Sequence, residues 1–244
     1  MSRPSPLAAG FSPELDPLHS VKKGEAAYHA VRRSILLGHI QSGEQLQEQK
    51  IARQLNCSQG TVREAFLRLE QDGLVARRGY RGTVVSMTSV QEAAQMVKIR
   101  VQIESTGVEK STASITSKTL EELAAITRDM DDAVRALDFY RCSELDRKFH
   151  MVLYRQAALP ALEPILNRCA LHIHRFTYLH ADELEPELAF GENHRALIRV
   201  IESGDPVAAC DAIKSHISQV IERWAQPLVQ ELRRGASAAS AHFS

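Results

Sequence analysis

Residues 46–85 read LQEQKIARQLNCSQGTVREAFLRLEQDGLVARRGYRGTVV, and this stretch decides the fold of the N-terminal part of the chain. Its first half contains two short apolar stripes on either side of Asn56, which predicts two helices joined by a tight turn. Ala52, Asn56 and Val62 have the spacing of a helix-turn-helix. This motif needs a small residue where the helices cross, a turn residue that tolerates the left-handed conformation, and a branched apolar residue on the second helix. Ser58 is a typical N-cap for that second helix.

The second half of the stretch predicts a β-hairpin. Strand-like residues at 74–76 and 83–85 flank a turn rich in glycine and arginine, so the hairpin forms a basic wing. A helix over 59–71 followed by such a wing is typical of a winged helix-turn-helix, in which this helix enters the major groove of DNA. A generic three-helix domain with a surface hairpin is the alternative. The residues expected to contact DNA are Ser58, Gln59, Thr61, Arg63, Arg77, Arg78 and Arg81.

The charge distribution supports a nucleic-acid partner for this part of the chain. The 244 residues include 30 Lys and Arg and 30 Asp and Glu, so the net charge is zero. Residues 21–87 nevertheless contain 11 basic against 6 acidic side chains, whereas residues 88–244 contain 18 against 22. Because the basic charge is concentrated around the helix-turn-helix, we expect the first unit to bind a polyanion and the second not to.

Composition excludes several other classes of protein. No run reaches the roughly 18 apolar residues that a membrane span needs, and the N-terminus lacks the apolar core of a secretory signal. We therefore expect a cytoplasmic protein with no membrane partner. The four cysteines form no CxxC pair, so the sequence indicates neither a disulfide framework nor a thiolate zinc site.

The sequence as a whole predicts a mainly α protein with two units. Residues 1–20 are proline-rich and aperiodic, and we expect a disordered arm; residues 21–87 form the winged helix-turn-helix. Residues 88–234 lack strand-like alternation and predict an all-α bundle of six or seven helices, which binds metal and ligand and leaves surface for dimerisation. Residues 235–244 are expected to be a flexible tail.

Four residues of the second unit have the spacing of a metal site. Asp146 and His150 lie four residues apart in SELDRKFHMVLY, so they share one face of a helix. His194 lies eleven residues before Asp205 and His216 eleven after it, which places both imidazoles at one height on antiparallel helices. Three imidazoles and a carboxylate suit a divalent ion such as Zn²⁺, Ni²⁺ or Mn²⁺.

Other histidines are not expected to join this site. In LHIHRFTYLH, His172 and His174 are two residues apart on a predicted helix, so they point away from each other and cannot chelate one ion together. His180 is expected to be exposed.

A site of this composition has three possible uses. It could present a pocket for a ligand, hold the bundle together, or serve a metal-dependent hydrolase in which the basic unit only localises the enzyme. A hydrolase needs an acid or base beside the metal-bound water, and the motif segments offer only Glu104 or Glu192. The ligand pocket is therefore favoured.

The first of these patterns resembles the DNA-binding domain of the GntR family of bacterial transcription regulators. Residues 46–85 contain its LxExxIAxxL, SxxTVREA, LExxGLV and RGxxV elements. The resemblance implies a homodimer that binds double-stranded DNA at an inverted repeat. Gln59 stands where many relatives have arginine, so their preference at the base read by this residue does not transfer.

The second unit is similar to the FCD-type effector domain of the FadR-like branch of that family. The similarity lies in VKIRVQIESTGVEKST, ELDRKFHMVLYRQA and NHRALIRVIESGDPVAACDAIKSHI. In that domain an Asp, a His four residues later and two further His bind a metal beneath a pocket for small organic acids, and the match falls on the four residues above. Arg100 matches a position where relatives present arginine to the pocket, although a salt bridge to Glu104 is the alternative. The resemblance implies a regulator that responds to a small carboxylate, and not an enzyme.

Overall fold

The computed structural model describes residues 18–79, 82–180 and 189–241, which form a winged helix-turn-helix followed by a helical bundle. This confirms the predicted mainly α fold. The N-terminal unit consists of α1 (Leu18–Leu36), β1 (Gln45–Leu46), α2 (Glu48–Gln54), α3 (Gln59–Gln71), β2 (Val75–Arg77) and β3 (Thr83–Val85).

The helix-turn-helix has the geometry that its residues predict. Asn56 adopts a positive φ of 49° in the turn between α2 and α3. The Ser58 hydroxyl accepts a hydrogen bond of 3.1 Å from the Thr61 backbone N–H and so caps α3. Ala52 and Val62 are buried where the helices meet. Local sequence therefore determines the turn, the cap and the way in which α3 packs against α2.

The small sheet is antiparallel and has the strand order β1, β3, β2. β2 and β3 form the wing, with Val75 opposite Val85 and Arg77 opposite Thr83. The apolar core of this unit includes Phe66 from α3 and also Leu171, which belongs to the second unit. The two units therefore share buried contacts.

The bundle contains seven helices within the described residues, in agreement with the six or seven predicted. They are α4 (Val90–Thr112), α5 (Ser117–Arg135), α6 (Phe139–Arg155), α7 (Glu163–His180), α8 (Phe190–Glu202), α9 (Pro206–Trp224) and α10 (Gln226–Ala241). α4 lies at the centre and packs against α6, α7 and α9. Its first turn is stabilised by a capping box, in which Ser89 and Glu92 each accept a hydrogen bond from the other's backbone N–H. No helix in the described ranges has the length and apolarity to cross a membrane.

The ends of the chain differ from the expected boundaries. α1 already begins at Leu18, inside the expected arm, and residues 1–17 lie outside the described part of the chain. α10 continues to Ala241, so most of the expected tail at 235–244 has a helical backbone. Alanine is the residue with the highest helix propensity, and the GASAASA composition of this segment favours continuation of the helix.

Candidate metal centre and nucleic-acid interface

Three helices bring the four predicted metal ligands to one place in the bundle. Their candidate ligand atoms all lie within 4.8 Å of one another, and the side chains are between 0% and 8% exposed. The residues are Asp146 and His150 on α6, His194 on α8 and His216 on α9. The α8–α9 hairpin positions its two imidazoles as the symmetric spacing around Asp205 predicts, with ring centroids 4.5 Å apart.

Hydrogen bonds orient two of the imidazoles toward the centre. His194 Nδ1–H donates to the Phe190 carbonyl at 2.8 Å, and His150 Nδ1–H donates to Glu104 Oε2 at 2.5 Å. Each bond holds the proton on Nδ1 and leaves the Nε2 lone pair free for coordination. The two Nε2 atoms lie 3.2 Å and 3.6 Å from Asp146 Oδ1.

The buried polar atoms of the cluster fit a divalent ion. His150 Nε2 and His216 Nε2 are buried, and neither has a hydrogen-bond partner in the described part of the chain. A buried polar atom without a partner costs about 1–3 kcal/mol. A divalent ion at the centre would satisfy both atoms, and three nitrogens with one carboxylate oxygen suit Zn²⁺, Ni²⁺ or Mn²⁺.

Arg100 lies beside this cluster, almost fully buried. Its Nε donates to Glu104 Oε1 at 2.6 Å, and its Nη2 lies 3.5 Å from Asp146 Oδ2. The salt bridge to Glu104 and the position beside the metal ligands therefore coexist. Glu104 connects Arg100 to His150 because its two oxygens accept from one residue each.

The electrostatics of the cluster keep its carboxylates ionised. Burial disfavours charge on Glu104, but His150 and Arg100 lower the pKa of this carboxyl to about 2. Burial also opposes charge on Asp146, yet His150, together with His174 and His194, holds the pKa of this carboxyl well below the usual range. Burial and the neighbouring imidazoles keep the pKa of His216 well below its usual value, so this ring is neutral and suited to coordination.

His174 is a site residue that the sequence interpretation missed. Its Nε2 lies 3.0 Å from Asp146 Oδ2, and the residue is buried. His172 points away from it, as expected, and its Nδ1 lies 2.7 Å from Thr88 Oγ1. The two histidines do not chelate together, as predicted, and His174 contacts the cluster through the Asp146 carboxylate and not as one of the four candidate ligands. His172 and His174 lie on opposite faces of α7. Because α7 packs against α6, one of these faces meets the metal ligands, and the spacing of the two residues alone does not say which one.

The predicted DNA-contacting residues are mostly exposed. Ser58, Gln59 and Arg63 are exposed at the start of α3, and Thr61 is half-buried. The Ser58 hydroxyl oxygen caps the helix as an acceptor, and its O–H group can still donate a hydrogen bond to a phosphate. The Arg63 guanidinium is held by both carboxylate oxygens of Glu48, at 2.8 Å and 3.3 Å.

In the wing, Arg77 and Arg78 are exposed, and Arg77 lies 3.5 Å from Glu70. Arg81 lies outside the described residues. The exposed residues of α3 and of the wing therefore provide a polar and basic surface on the N-terminal unit.

Glu104 and Glu192, the two carboxylates considered for a hydrolase, are engaged elsewhere. Glu192 is exposed and accepts from Arg195 and Arg199, each at 2.8 Å. Glu104 is used by Arg100 and His150. Neither carboxylate is free to serve as a general base.

Comparisons with known proteins match both units. Residues 23–85 match the family described as bacterial regulatory proteins, gntR family, and residues 95–219 match the FCD domain. The chain is 24% identical over 209 residues to the HTH-type transcriptional repressor RspR of Escherichia coli K12, covering 86% of this chain and 91% of that protein. It is 31% identical over 147 residues to an uncharacterised HTH-type transcriptional regulator of Agrobacterium vitis, covering 59% of this chain and 85% of that protein.

Solved structures show the same fold. E. coli McbR/YncC superimposes with a TM-score of 0.71 at 18% identity, covering 84% of this chain and 97% of that chain. A putative GntR transcriptional regulator from Rhodococcus superimposes with a TM-score of 0.65 at 21% identity, covering 85% and 98%. Because both family models and the named relatives are those of transcription regulators, the hydrolase alternative is set aside. With a helix-turn-helix unit and a helical unit that both match family signatures, the chain belongs to the GntR family of bacterial regulatory proteins with an FCD domain, and it is a DNA-binding transcription regulator and not an enzyme.

Proposed function

We propose that this protein is a homodimeric repressor of the bacterial cytoplasm, which binds an inverted-repeat operator and responds to a small carboxylate at the Asp146 cluster. The observation that carries this proposal is the buried group of three imidazoles and a carboxylate with Arg100 beside it. Two relatives are named as repressors: RspR, and a probable D-xylose utilization operon repressor of Paenarthrobacter nicotinovorans, which is 27% identical over 184 residues.

The exposed start of α3 supports the DNA-binding part of the proposal. Gln59, Thr61 and Arg63 are in the first turns of α3, from which a recognition helix would reach base edges or the adjacent phosphates. A guanidinium can bind guanine O6 and N7 or a phosphate with two hydrogen bonds, and DNA would replace Glu48 as the partner of Arg63. In the sequence, Arg78 and Arg81 belong to the turn of the wing, and we expect their side chains to contact the DNA backbone.

The charge of the cluster supports a carboxylate as the effector. A bound divalent ion supplies a Lewis-acidic anchor for an effector oxygen. Asp146 and Glu104 are ionised and Arg100 is cationic. An imidazole that coordinates an ion through its Nε2 lone pair is neutral, so the site with its divalent ion would bear one net positive charge. A buried charge of this kind favours a ligand of opposite sign, and one carboxylate would neutralise it. The guanidinium fork of Arg100 matches a carboxylate in shape as well as in charge.

The test is thermal unfolding with a panel of small carboxylates, with Zn²⁺ and after chelation. We expect some carboxylate to raise Tm of the metal-loaded wild type and to have no effect after chelation. His194→Ala and His216→Ala should each lose the ion and the carboxylate effect, because each removes one of four ligands. His39→Ala is the matched control, since this histidine is exposed in the loop after α1.

Two outcomes would contradict the proposal. If Zn²⁺ raises Tm and no carboxylate adds to it, the metal has only a structural role. If His216→Ala binds no ion and still shows the carboxylate effect of the wild type, the sensing pocket lies elsewhere in the bundle.

A further inference from the structure

Two adjacent residues of α7 connect the candidate metal centre to the DNA-binding unit. His174 Nε2 donates to Asp146 Oδ2 at 3.0 Å. Arg175, the next residue, donates from Nη1 to the Ser86 carbonyl at 2.7 Å and from Nη2 to Ser42 Oγ at 2.8 Å. Both side chains are buried, with exposed fractions of 8% and 2%. A displacement of this part of α7 would therefore alter the contact with Asp146 and the contacts with Ser86 and Ser42 together.

The turn of α7 just before this pair also contacts the N-terminal unit and the segment that follows it. Leu171 is fully buried in the apolar core of the helix-turn-helix unit. His172 Nδ1 is hydrogen-bonded to Thr88 Oγ1 in the segment between β3 and α4. Because interiors are close-packed, a shift of α7 cannot be absorbed locally and has to move the residues it contacts.

The two oxygens of Asp146 face different partners. Oδ1 points to the imidazoles of His150 and His194, whereas Oδ2 points to His174 and Arg100. A carboxylate group is planar and rigid, so any rotation that improves coordination through Oδ1 displaces Oδ2. An effector carboxylate that pairs with Arg100 would also leave His174 as the remaining donor to Oδ2.

We propose that His174 is a positioning residue that transmits the state of the Asp146 carboxylate through α7 to the DNA-binding unit, with Arg175 as the output contact on Ser86 and Ser42. The inference rests on the proposed function, because it takes Asp146 to be a metal ligand. It goes further because it names the route, that is, the residues of α7 that connect the metal centre to the DNA-binding unit. A purely structural His174 would stabilise the bundle equally with and without the ion, so the discriminating quantity is a metal-dependent difference.

The experiment measures amide hydrogen exchange of the full-length protein with Zn²⁺ and after chelation. Two reporter amides are defined by the structure: Gly43 N–H donates to the Val85 carbonyl and Ser86 N–H donates to the Leu74 carbonyl, each at 2.9 Å. In the wild type, we expect Zn²⁺ to change exchange at both reporters by about threefold or more. The bound Zn²⁺ of every variant is measured by elemental analysis.

His174→Phe keeps the ring volume and removes the donor to Asp146, so it should bind Zn²⁺ and lose the change at the reporters. His174→Gln keeps a donor near the Nε2 position and should retain it. His180→Phe makes the same substitution at the exposed end of α7 and should behave as the wild type. Arg175→Lys keeps the charge but cannot donate to the Ser86 carbonyl and to Ser42 Oγ in the same way. It should therefore bind Zn²⁺ normally and lose the Zn²⁺-dependent change at the two reporter amides.

The outcomes separate the inference from the proposed function. A wild type that takes up no Zn²⁺ overturns the proposed function, and the route with it. If the wild type binds Zn²⁺ and the reporters do not respond, or if His174→Phe or Arg175→Lys responds as the wild type does, the route is wrong and the proposed function stands. Loss of Zn²⁺ by His174→Phe would make this residue part of the metal-holding structure, which also overturns the route. If His174→Phe does not fold, as judged by circular dichroism, the result for Arg175→Lys alone shows whether the route is correct.

Discussion

At the residue scale, Arg63 is the side chain of α3 on which specific DNA binding should depend most. Its exposed ion pair with Glu48 is weak because both groups remain accessible to water, so a nucleic-acid partner can replace it. Arg63→Ala should lower affinity for a selected operator by at least about tenfold and leave helical content unchanged. The measurement is fluorescence anisotropy on an operator selected by the wild type from random DNA.

The control for Arg63 is Arg135→Ala. Arg135 is exposed on α5 and is likewise paired with an acidic residue, Asp132, but it lies in the bundle. It should bind the operator as the wild type does. Retention of full operator affinity by Arg63→Ala would remove this residue from the recognition role.

His172, at the contact between the units, should make stability depend on pH. Burial, assisted by Arg168 and Arg175, lowers the pKa of His172 to about 4 from an ordinary value of 6.5. Between pH 6.5 and 4 the unfolded chain binds this proton and the folded chain does not. The free energy of unfolding should therefore fall, by up to about 3 kcal/mol, as pH falls through this window. At pH above 6.5 the contribution of this residue is constant.

His172→Gln should lose that part of the pH dependence, because glutamine can still bond Thr88 and does not titrate. Urea unfolding of both proteins at pH 7.5, 5.5 and 4.5 measures the difference. Equal slopes against pH in the wild type and the variant would show that His172 does not contribute.

At the scale of single elements, the N-terminus of α3 combines a cap with a DNA-facing surface. Ser58→Ala should lower the free energy of unfolding by about 1 kcal/mol because the Thr61 N–H loses its acceptor. Ser58→Asp should keep the cap but weaken DNA binding, since a carboxylate at this position repels phosphate. Urea unfolding and operator affinity are measured on both variants.

Thr116→Ala is the control for this element. Thr116 caps α5 through the Thr119 N–H, far from the DNA-binding unit. It should show a similar loss of stability and no change in operator affinity. If Ser58→Asp binds DNA as well as the wild type, phosphate does not approach this helix end.

The close approach of α4 and α6 is a second feature at this scale. A Cβ added at Gly107 would lie 2.5 Å from Tyr154 Cδ2, so the ring would have to move. Gly107→Ala should cost about 1–3 kcal/mol of stability and weaken Zn²⁺ binding, because these helices hold Glu104 against His150. The comparison is Gly60→Ala, whose Cβ would meet only Ser58 Oγ at 3.6 Å. It should be neutral or slightly stabilising, as expected for alanine in a helix. Equal free energies of unfolding of the two variants in urea would show that the α4–α6 contact accommodates the added Cβ.

At the scale of the whole molecule, the two units are joined by buried polar contacts as well as by the chain. Arg32 of α1 is 2% exposed and pairs with Glu144 of α6, while its Nη2 also donates to Tyr140 at 3.2 Å. Such contacts fix the orientation of the recognition helix relative to the bundle. In a dimer, they would also fix the distance between the two recognition helices.

A dimer with fixed recognition helices should protect two half-sites related by two-fold symmetry, with centres separated by about one helical turn or a multiple of it. Hydroxyl-radical footprinting on the selected operator, with the molar mass measured by light scattering, tests this. A monomer in solution that protects a single half-site would contradict the dimeric arrangement.

Features with local causes could be predicted from the sequence alone. The turn at Asn56, the cap at Ser58 and the hairpin of the wing depend on residues that are close together in the chain. The pairing of Asp146 with His150 depends only on the period of one helix. The equal heights of His194 and His216 follow from one short hairpin, so spacing was sufficient there too.

Contacts between elements that are distant in the chain were decided only by the tertiary structure. Helical periodicity determines which residues share a face, but not which other helix that face meets. The sequence therefore did not show that His174 meets Asp146 while His172 meets Thr88. Nor did it show that Arg32 is buried against the bundle while Arg33 beside it stays exposed. These contacts depend on how α6 and α7 pack against each other and against α1. Each helix lowers the free energy of the protein by burying a whole apolar face. Its individual polar residues then form hydrogen bonds with whichever partners that packing brings near.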